Sequence, residues 1–476
     1  MKLSVKKLLG LILASSMTFS LLTGCGSKES TDIVTDKDAV ITQAPVEETE
    51  TETTPEPTQE PAKDLGGMEI TIGNWWEQDP PAPPATQQEE DTLAYRNEIM
   101  KKHNFNIKTV NLGTWGEYQE IMVTSTMSGD PAADIFIMDT QFVSAPLSQG
   151  LLYPLNTLEN FDFTDEKWNQ QVLEMMKLGD DTYGMATGRM EPRLGVFWNK
   201  RLFEEAGIDP ELPYDLQASG EWTWEAFEEM AEQLTRDINN DGTPDVYGTA
   251  SFSVEFFKGA VFSNNAKFIG KDDSGKFYNA TNEANFIEAV QWARSFFDNG
   301  THMPEPEGAN WDWFIAAFKE GKVAMQAAEQ YKVGTWADMQ DDWGFVIFPK
   351  GPKGEMMTVF NENIVVMPVS LEKEDAENIA FAYNLFTETT PGYEDVDWRT
   401  NYYASFRDGR AVDETLPLFY DPKHGTLDLI RLIDGIDHGD LFFDVAAGAV
   451  TPAEGIEALQ QKWQSFIDGA NGVETE

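Results

Sequence analysis

The sequence predicts an α/β fold, and three observations carry that expectation. From Gly67 onward, short apolar runs of strand character alternate with stretches of helical periodicity. Several of those helical stretches open on clear capping signals. Hydrophobic residues make up 41% of the 476-residue chain, enough for a sizeable core. That length admits one large two-lobed unit or two to three ordinary domains.

The elements follow in order. Met68-Glu69-Ile70-Thr71-Ile72 alternates and is β-branched, which predicts a first strand. A helix over about 117–127 precedes Asp134-Ile135-Phe136-Ile137-Met138, a run apolar enough for a strand buried on both faces. Leu194-Gly195-Val196-Phe197-Trp198 predicts another strand, leading into a helix over 200–206 that Gly207 stops. Thr223 is placed to cap a helix over 224–236, with Trp222 and Phe227 spaced as a hydrophobic staple. Thr451-Pro452-Ala453-Glu454 is a capping box with proline in the first helical position, and the core face expected there is Ile456, Leu459, Trp463 and Phe466.

Charge and cysteine content narrow the function. There are 82 Asp and Glu against 34 Lys and Arg, a net charge of −48, which repels phosphate backbones and argues against nucleic-acid binding. The single cysteine, Cys25, permits no internal disulfide. Neither HExxH nor CxxC occurs, so catalytic zinc has no local support.

Residues 1–25 predict an export signal: Lys2, Lys6 and Lys7 precede a short apolar stretch over 8–22. It ends in Leu22-Thr23-Gly24-Cys25, which resembles the bacterial lipobox. That resemblance implies cleavage before Cys25, lipidation of its thiol, and attachment to the outer face of the cell membrane in a Gram-positive-type envelope. Residues 26–66 carry eleven Asp or Glu and few apolar groups, which predicts a disordered tether reaching roughly 35–40 Å.

Five segments in this order resemble the family 1 extracellular solute-binding proteins of ABC importers, the group containing maltose-binding protein. They are Gly129-Asp130-Pro131 with Gln149-Gly150-Leu151-Leu152-Tyr153-Pro154-Leu155, then Phe197-Trp198-Asn199-Lys200 running to Gly207-Ile208, then Glu221-Trp222-Thr223-Trp224. Phe318-Lys319-Glu320-Gly321-Lys322-Val323-Ala324-Met325 and Phe348-Pro349-Lys350-Gly351 complete the set. The resemblance implies a type II periplasmic-binding fold, with two α/β lobes and ligand between them. It places the N-terminal lobe at 67–187 plus 362–405 and the C-terminal lobe at 188–361 plus 406–476. The crossings fall near 187–191, 360–363 and 398–406. It also implies a small-molecule ligand, most readily a sugar, delivered by a monomer to ABC permease transmembrane subunits. At Ala328-Glu329-Gln330-Tyr331 the chain departs from the family's usual turn.

A sugar offers hydroxyls that need directional partners and C–H faces that favour flat aromatic rings. Candidate ligand contacts are therefore aromatic and polar residues at strand ends and expected crossings. They are Asn74, Trp75 and Trp76 after the first strand; Asp139 and Gln141 after the Ile135 strand; and Arg189, Glu191 and Asn361 at crossings. Trp311 and Trp313 in a loop-rich stretch, with Glu329 and Tyr331 at the departing turn, complete the set. Trp222, Trp292 and Trp463 are assigned to the core.

Asp237-Ile238-Asn239-Asn240-Asp241-Gly242-Thr243-Pro244-Asp245 matches the first nine positions of an EF-hand-like loop. Asp237, Asn239, Asp241, Thr243 and Asp245 are the expected ligands of a structural calcium ion; an Asx-rich turn without metal is the alternative. Gly248 stands where an EF-hand carries its bidentate glutamate. Other functional readings are a solute-binding protein for a non-sugar ligand, a secreted glycan-active enzyme, an adhesin, or a sensor subunit. The near-Walker run Gly270-Lys271-Asp272-Asp273-Ser274-Gly275-Lys276 is followed by Phe277 where Ser or Thr is required, and no GxSxG occurs.

Overall fold

The computed structural model describes residues 63–77, 83–84, 86–272, 276–394 and 396–471. The expected signal segment, Cys25 and the tether up to 62 lie outside the described residues. The body begins earlier than expected: Leu65 packs on a core, and its amide donates to the His103 carbonyl at 2.9 Å.

Two four-stranded sheets organise the folded chain. In the first, Met68–Asn74 lies between Phe105–Asn111 and Ile135–Asp139, parallel to both, and Asn363–Val366 adds an antiparallel edge. In the second, Leu194–Asn199 pairs antiparallel with Val323–Glu329 and Trp343–Ile347, and Tyr247–Thr249 runs parallel to the Val323 strand. Both are helix-flanked α/β layers. The second half is built around one large aromatic-rich core containing Phe197, Trp198, Trp222, Phe256, Trp336 and Trp463. The first half divides its apolar residues between two smaller clusters.

A short third sheet sits where the halves join: Thr358–Asn361 pairs with Glu191–Pro192 and with Gly425–Leu427. Two chain passages are therefore stitched side by side by backbone hydrogen bonds. The third expected crossing, at 398–406, already belongs to the second half. Tyr393 still donates to Asp91 of the first half at 2.7 Å, whereas Trp398, Tyr402 and Phe406 already pack on the second core.

Local signals resolve as capping chemistry predicts, with two corrections. Thr223 accepts from the Ala226 amide at 3.2 Å, and Thr451 with Glu454 closes a capping box. The helix begun by Thr223 ends at Leu234, short of 236, because Arg236 pairs with Val246 as a β-bridge. In the last helix Ile467, one turn beyond Trp463, is buried, while Phe466 is part-exposed over Gly435. Trp222 and Trp463 are fully buried, and Trp292 stacks on Trp224 at 4.1 Å.

Candidate ligand cleft

The parallel strands of the first sheet end at Asn74, Asn111 and Asp139 on one edge, the edge at which open α/β sheets present ligand loops. Asn74 is buried, and its side-chain oxygen accepts from the Trp76 and Glu77 amides at 3.0 and 2.8 Å. It thus shapes the turn that carries Trp75 and Trp76 and does not itself line the cavity. Trp75 packs edge-on against Trp76 at 4.6 Å and Trp115 at 4.9 Å, and Trp115 leans on Phe142 at 4.5 Å. Trp76 and Trp115 remain nearly half exposed, so their rings form an open aromatic wall.

Facing this wall is a polar floor drawn from the joining strands and the second half. Arg193 pairs with Glu191 at 2.9 Å, and its guanidinium lies 5.0 Å from the Tyr331 ring. The Tyr331 hydroxyl donates to the Glu329 carboxylate. Asp139 accepts from Asn361 at 2.8 Å and from the Gln141 amide at 3.0 Å, so a side-chain bond ties the first sheet's edge to the joining strand. Together with Trp311, Asn363 and Arg431, these groups enclose a cavity of about 800 Å³.

Burial sets the electrostatics of the floor. It pushes the Glu191 carboxyl above its ordinary range, with Arg193 pulling back. Burial likewise raises Glu329, and the neighbouring Glu255 raises it further. Glu362, at the junction of the halves, is pushed up to about 7 by burial. Under Glu329, burial opposes ionisation of Glu255, but Lys258 at 3.1 Å prevails and holds its carboxyl below the ordinary value. The cleft therefore presents buried carboxyl groups beside paired cations, a set able to both donate and accept hydrogen bonds.

The cavity gathers Trp75, Trp76, Asp139, Glu191, Trp311, Glu329, Tyr331 and Asn361 of the expected contacts. Four others stand outside it. Asn74 is the buried turn residue described above. Gln141 turns its side-chain oxygen to Arg431. Arg189 lies 5.4 Å from the Trp398 ring. Trp313 lines a neighbouring cavity on the far side of Trp311. Sequence reasoning missed Trp115, Arg193, Asn363 and Arg431. Trp115 was accessible to the strand-end argument, since it closely follows the strand ending at Asn111. Arg193 and Asn363 sit two residues from Glu191 and Asn361. Arg431 carried no local signal.

The loop at 237–245 turns several oxygens inward. Asp237 accepts from Gly242 at 2.8 Å, Asn239 from Asp241 at 2.8 Å and Asp241 from Thr243 at 2.9 Å. Asp245 instead caps the Ile238 and Asn239 amides at 2.7 and 3.1 Å. Among the described residues no group of three or more His, Cys, Asp or Glu is gathered to hold a metal ion. A side chain at Gly248 would meet the Ala231 carbonyl at 2.2 Å, so close strand–helix packing bars a glutamate there.

A family model described as bacterial extracellular solute-binding protein matches residues 94–408. The chain belongs to this family. No curated protein matches it by sequence. Among solved structures, this solute-binding protein is similar to the cyclic α-maltosyl-1,6-maltose binding protein of Arthrobacter globiformis, with 19% identity and a TM-score of 0.60 over 85% of this chain and 100% of that one. An ABC substrate-binding protein of Listeria monocytogenes in complex with cycloalternan gives 17% and 0.58 over 86% and 100%. The maltose-binding periplasmic protein of the same organism, in complex with maltose, gives 13% and 0.56 over 86% and 100%. At these identities the likeness establishes the fold, the two-lobed type II periplasmic-binding architecture.

Proposed function

We propose that this protein captures a carbohydrate, an oligosaccharide in the first instance, and delivers it to the permease of an ABC importer. The observation that carries the reading is the opposition of the Trp75–Trp76–Trp115 wall to the Glu191–Arg193–Glu329–Tyr331 floor across one cavity. Aromatic faces take the C–H surface of a pyranose, and the floor supplies partners for its hydroxyls. A ligand touching both sides gains most in the closed arrangement, so binding shifts the equilibrium toward closure, which the permease reads. Family membership and the sugars bound by the structural relatives support the reading.

The raised carboxyls Glu191 and Glu329 are read as hydrogen-bond partners of the ligand and not as acid catalysts. Incubation with a polysaccharide panel is expected to release no reducing sugar; release would replace the binding reading with a hydrolytic one. The proposal extends to a monomer anchored through a lipid on Cys25 to the outer face of the cell membrane, in a Gram-positive-type envelope. Among the described residues no helix is long and apolar enough to cross a membrane. It also extends to a structural calcium ion at Asp237, Asn239, Asp241 and Thr243. Added calcium should raise the melting temperature relative to chelator, and Asp237→Ala should abolish the rise.

The deciding experiment is a thermal-shift screen against mono- and oligosaccharides, followed by calorimetry. A specific ligand at a hundredfold its Kd adds about 2.7 kcal/mol. If peptides stabilise the protein and no sugar does, the carbohydrate assignment falls.

A further inference from the structure

Trp311 is 69% exposed, a large apolar surface to leave in water, and it stands between two cavities. One face borders the cleft of about 800 Å³. The other borders a second chamber of about 690 Å³, whose lining among the described residues comes wholly from the second half. Phe252 is the pivot of that chamber. Its ring lies 6.2 Å from Trp311, 5.9 Å from Phe443 and 6.2 Å from Phe314, nearly parallel to the last. Phe443 projects from the helix Gly439–Ala446 and is 51% exposed, so this chamber too has an open aromatic side.

Polar groups are few and specific. The Ser251 hydroxyl oxygen accepts from the Ala327 amide at 2.9 Å, leaving its proton available to donate. His302, whose Nε2 accepts from the Ser251 amide at 3.1 Å, is kept uncharged by burial, its pKa falling to about 4. Among the described residues Glu305 is the only charged one on the lining, and no Lys or Arg joins it. An anionic group would meet repulsion there and find no partner. Uncharged rings with apolar faces and hydroxyl edges match the wall.

We infer that the chamber behind Trp311 is a second subsite that receives further neutral saccharide units of the ligand held in the cleft. Trp311 is the platform shared by both, and the preferred ligand is a chain long enough to pass it. The inference rests on the carbohydrate reading of the cleft. Among the described residues Trp311 is the one found on both linings, so a chain must extend past it to occupy both, and selection by length follows.

The test is calorimetry of the exported protein with two neutral series, maltose-type and mannose-type oligosaccharides, from the disaccharide upward. Affinity should keep rising with length until the chamber is filled. Phe443→Ala should weaken the long members about tenfold and bring them toward the short ones. Ala447→Trp, at an exposed position on the chamber wall, fills the space without removing a core contact and should do the same. Melting temperatures matching the parent establish that both variants are folded. Saccharide binding that is flat with length, or long-chain affinity unchanged in both variants, overturns the subsite while leaving the cleft reading intact. An alkyl glycoside that outcompetes the longer sugar and is lost in Phe443→Ala also overturns it, in favour of a lipophilic occupant. Absence of binding by either series removes the carbohydrate reading and the subsite with it.

Discussion

Trp222 and Trp76 are the same side chain in opposite surroundings. Trp222 is fully buried in the second core, with Phe227 at 6.0 Å and its indole N–H donating to the Ile347 carbonyl at 2.7 Å. Trp76 sits on a turn at a sheet edge, 45% exposed, with its ring against that of Trp75. Every polar and apolar need of Trp222 is met within the fold, whereas the needs of Trp76 are left for something else to meet. That difference separates a residue that holds the protein together from one that waits for a ligand.

The largest expected effect follows from the buried member. Trp222→Ala removes a full indole from a close-packed core and leaves the Ile347 carbonyl without that donor, a loss of about 3–5 kcal/mol. Denaturant unfolding should register it as a lower midpoint. Loss below about 1 kcal/mol would mean that this half tolerates a cavity its packing does not suggest.

Next in size is a group belonging to neither half. Glu362 sits at their junction, its amide and carbonyl both engaged with the Thr140 hydroxyl, and one carboxyl oxygen is buried without a partner. Its pKa rises from an ordinary 4.5 to about 7, so the folded state holds a proton that the unfolded chain releases. The associated stability is complete below about 4.5 and is lost as pH climbs through about 7, with a ceiling near about 3 kcal/mol. Glu191 is raised in the same direction and adds to the slope. Glu362→Gln should flatten the melting-temperature profile across that window and raise stability at its alkaline end. An unchanged profile would show that water reaches the carboxylate.

The exposed member of the comparison gives a smaller effect in a different observable. Trp76→Ala should leave the melting temperature nearly unchanged, since exposed substitutions cost within about 0.5 kcal/mol. It should weaken saccharide binding about tenfold, which corresponds to about 1.4 kcal/mol. If stability fell and affinity held, Trp76 would belong with Trp222.

What was legible in the sequence was local. The strand ending at Asn74 and the boxes at Thr223 and Thr451 depend on residues within a turn of one another, and the structure follows them. The aromatic wall was readable because ligand loops leave strand ends, and the same rule applied to the strand ending at Asn111 reaches Trp115. Trp311 and Trp313 part because residues two apart at a helix start face different directions: Trp311 borders both cavities, whereas Trp313 borders only the neighbouring chamber. Asn74 and Gln141 misled for a further reason: short polar side chains at strand ends often satisfy the protein's own backbone or a neighbouring side chain before any ligand arrives.

Arg431 was out of reach because its partner is 290 positions away, and it supplies the smallest test. Its guanidinium donates to the Gln141 side-chain oxygen, joining the turn Leu429–Leu432 of the second half to the turn Thr140–Phe142 of the first. The Leu429–Leu432 turn is itself fixed by Asp428, which caps it and pairs with buried His438 at 2.6 Å. Arg431 is thus a firmly mounted donor lining the cleft, and Gln141 holds one of its five N–H groups in place. Gln141→Ala alone should weaken saccharide binding only slightly, because the freed donor can turn to a ligand hydroxyl. Arg431→Ala should cost more, and the double variant should cost less than the sum, with a coupling of about 0.5–1 kcal/mol. Strict additivity would mean that the bond between these two turns is broken before the ligand arrives.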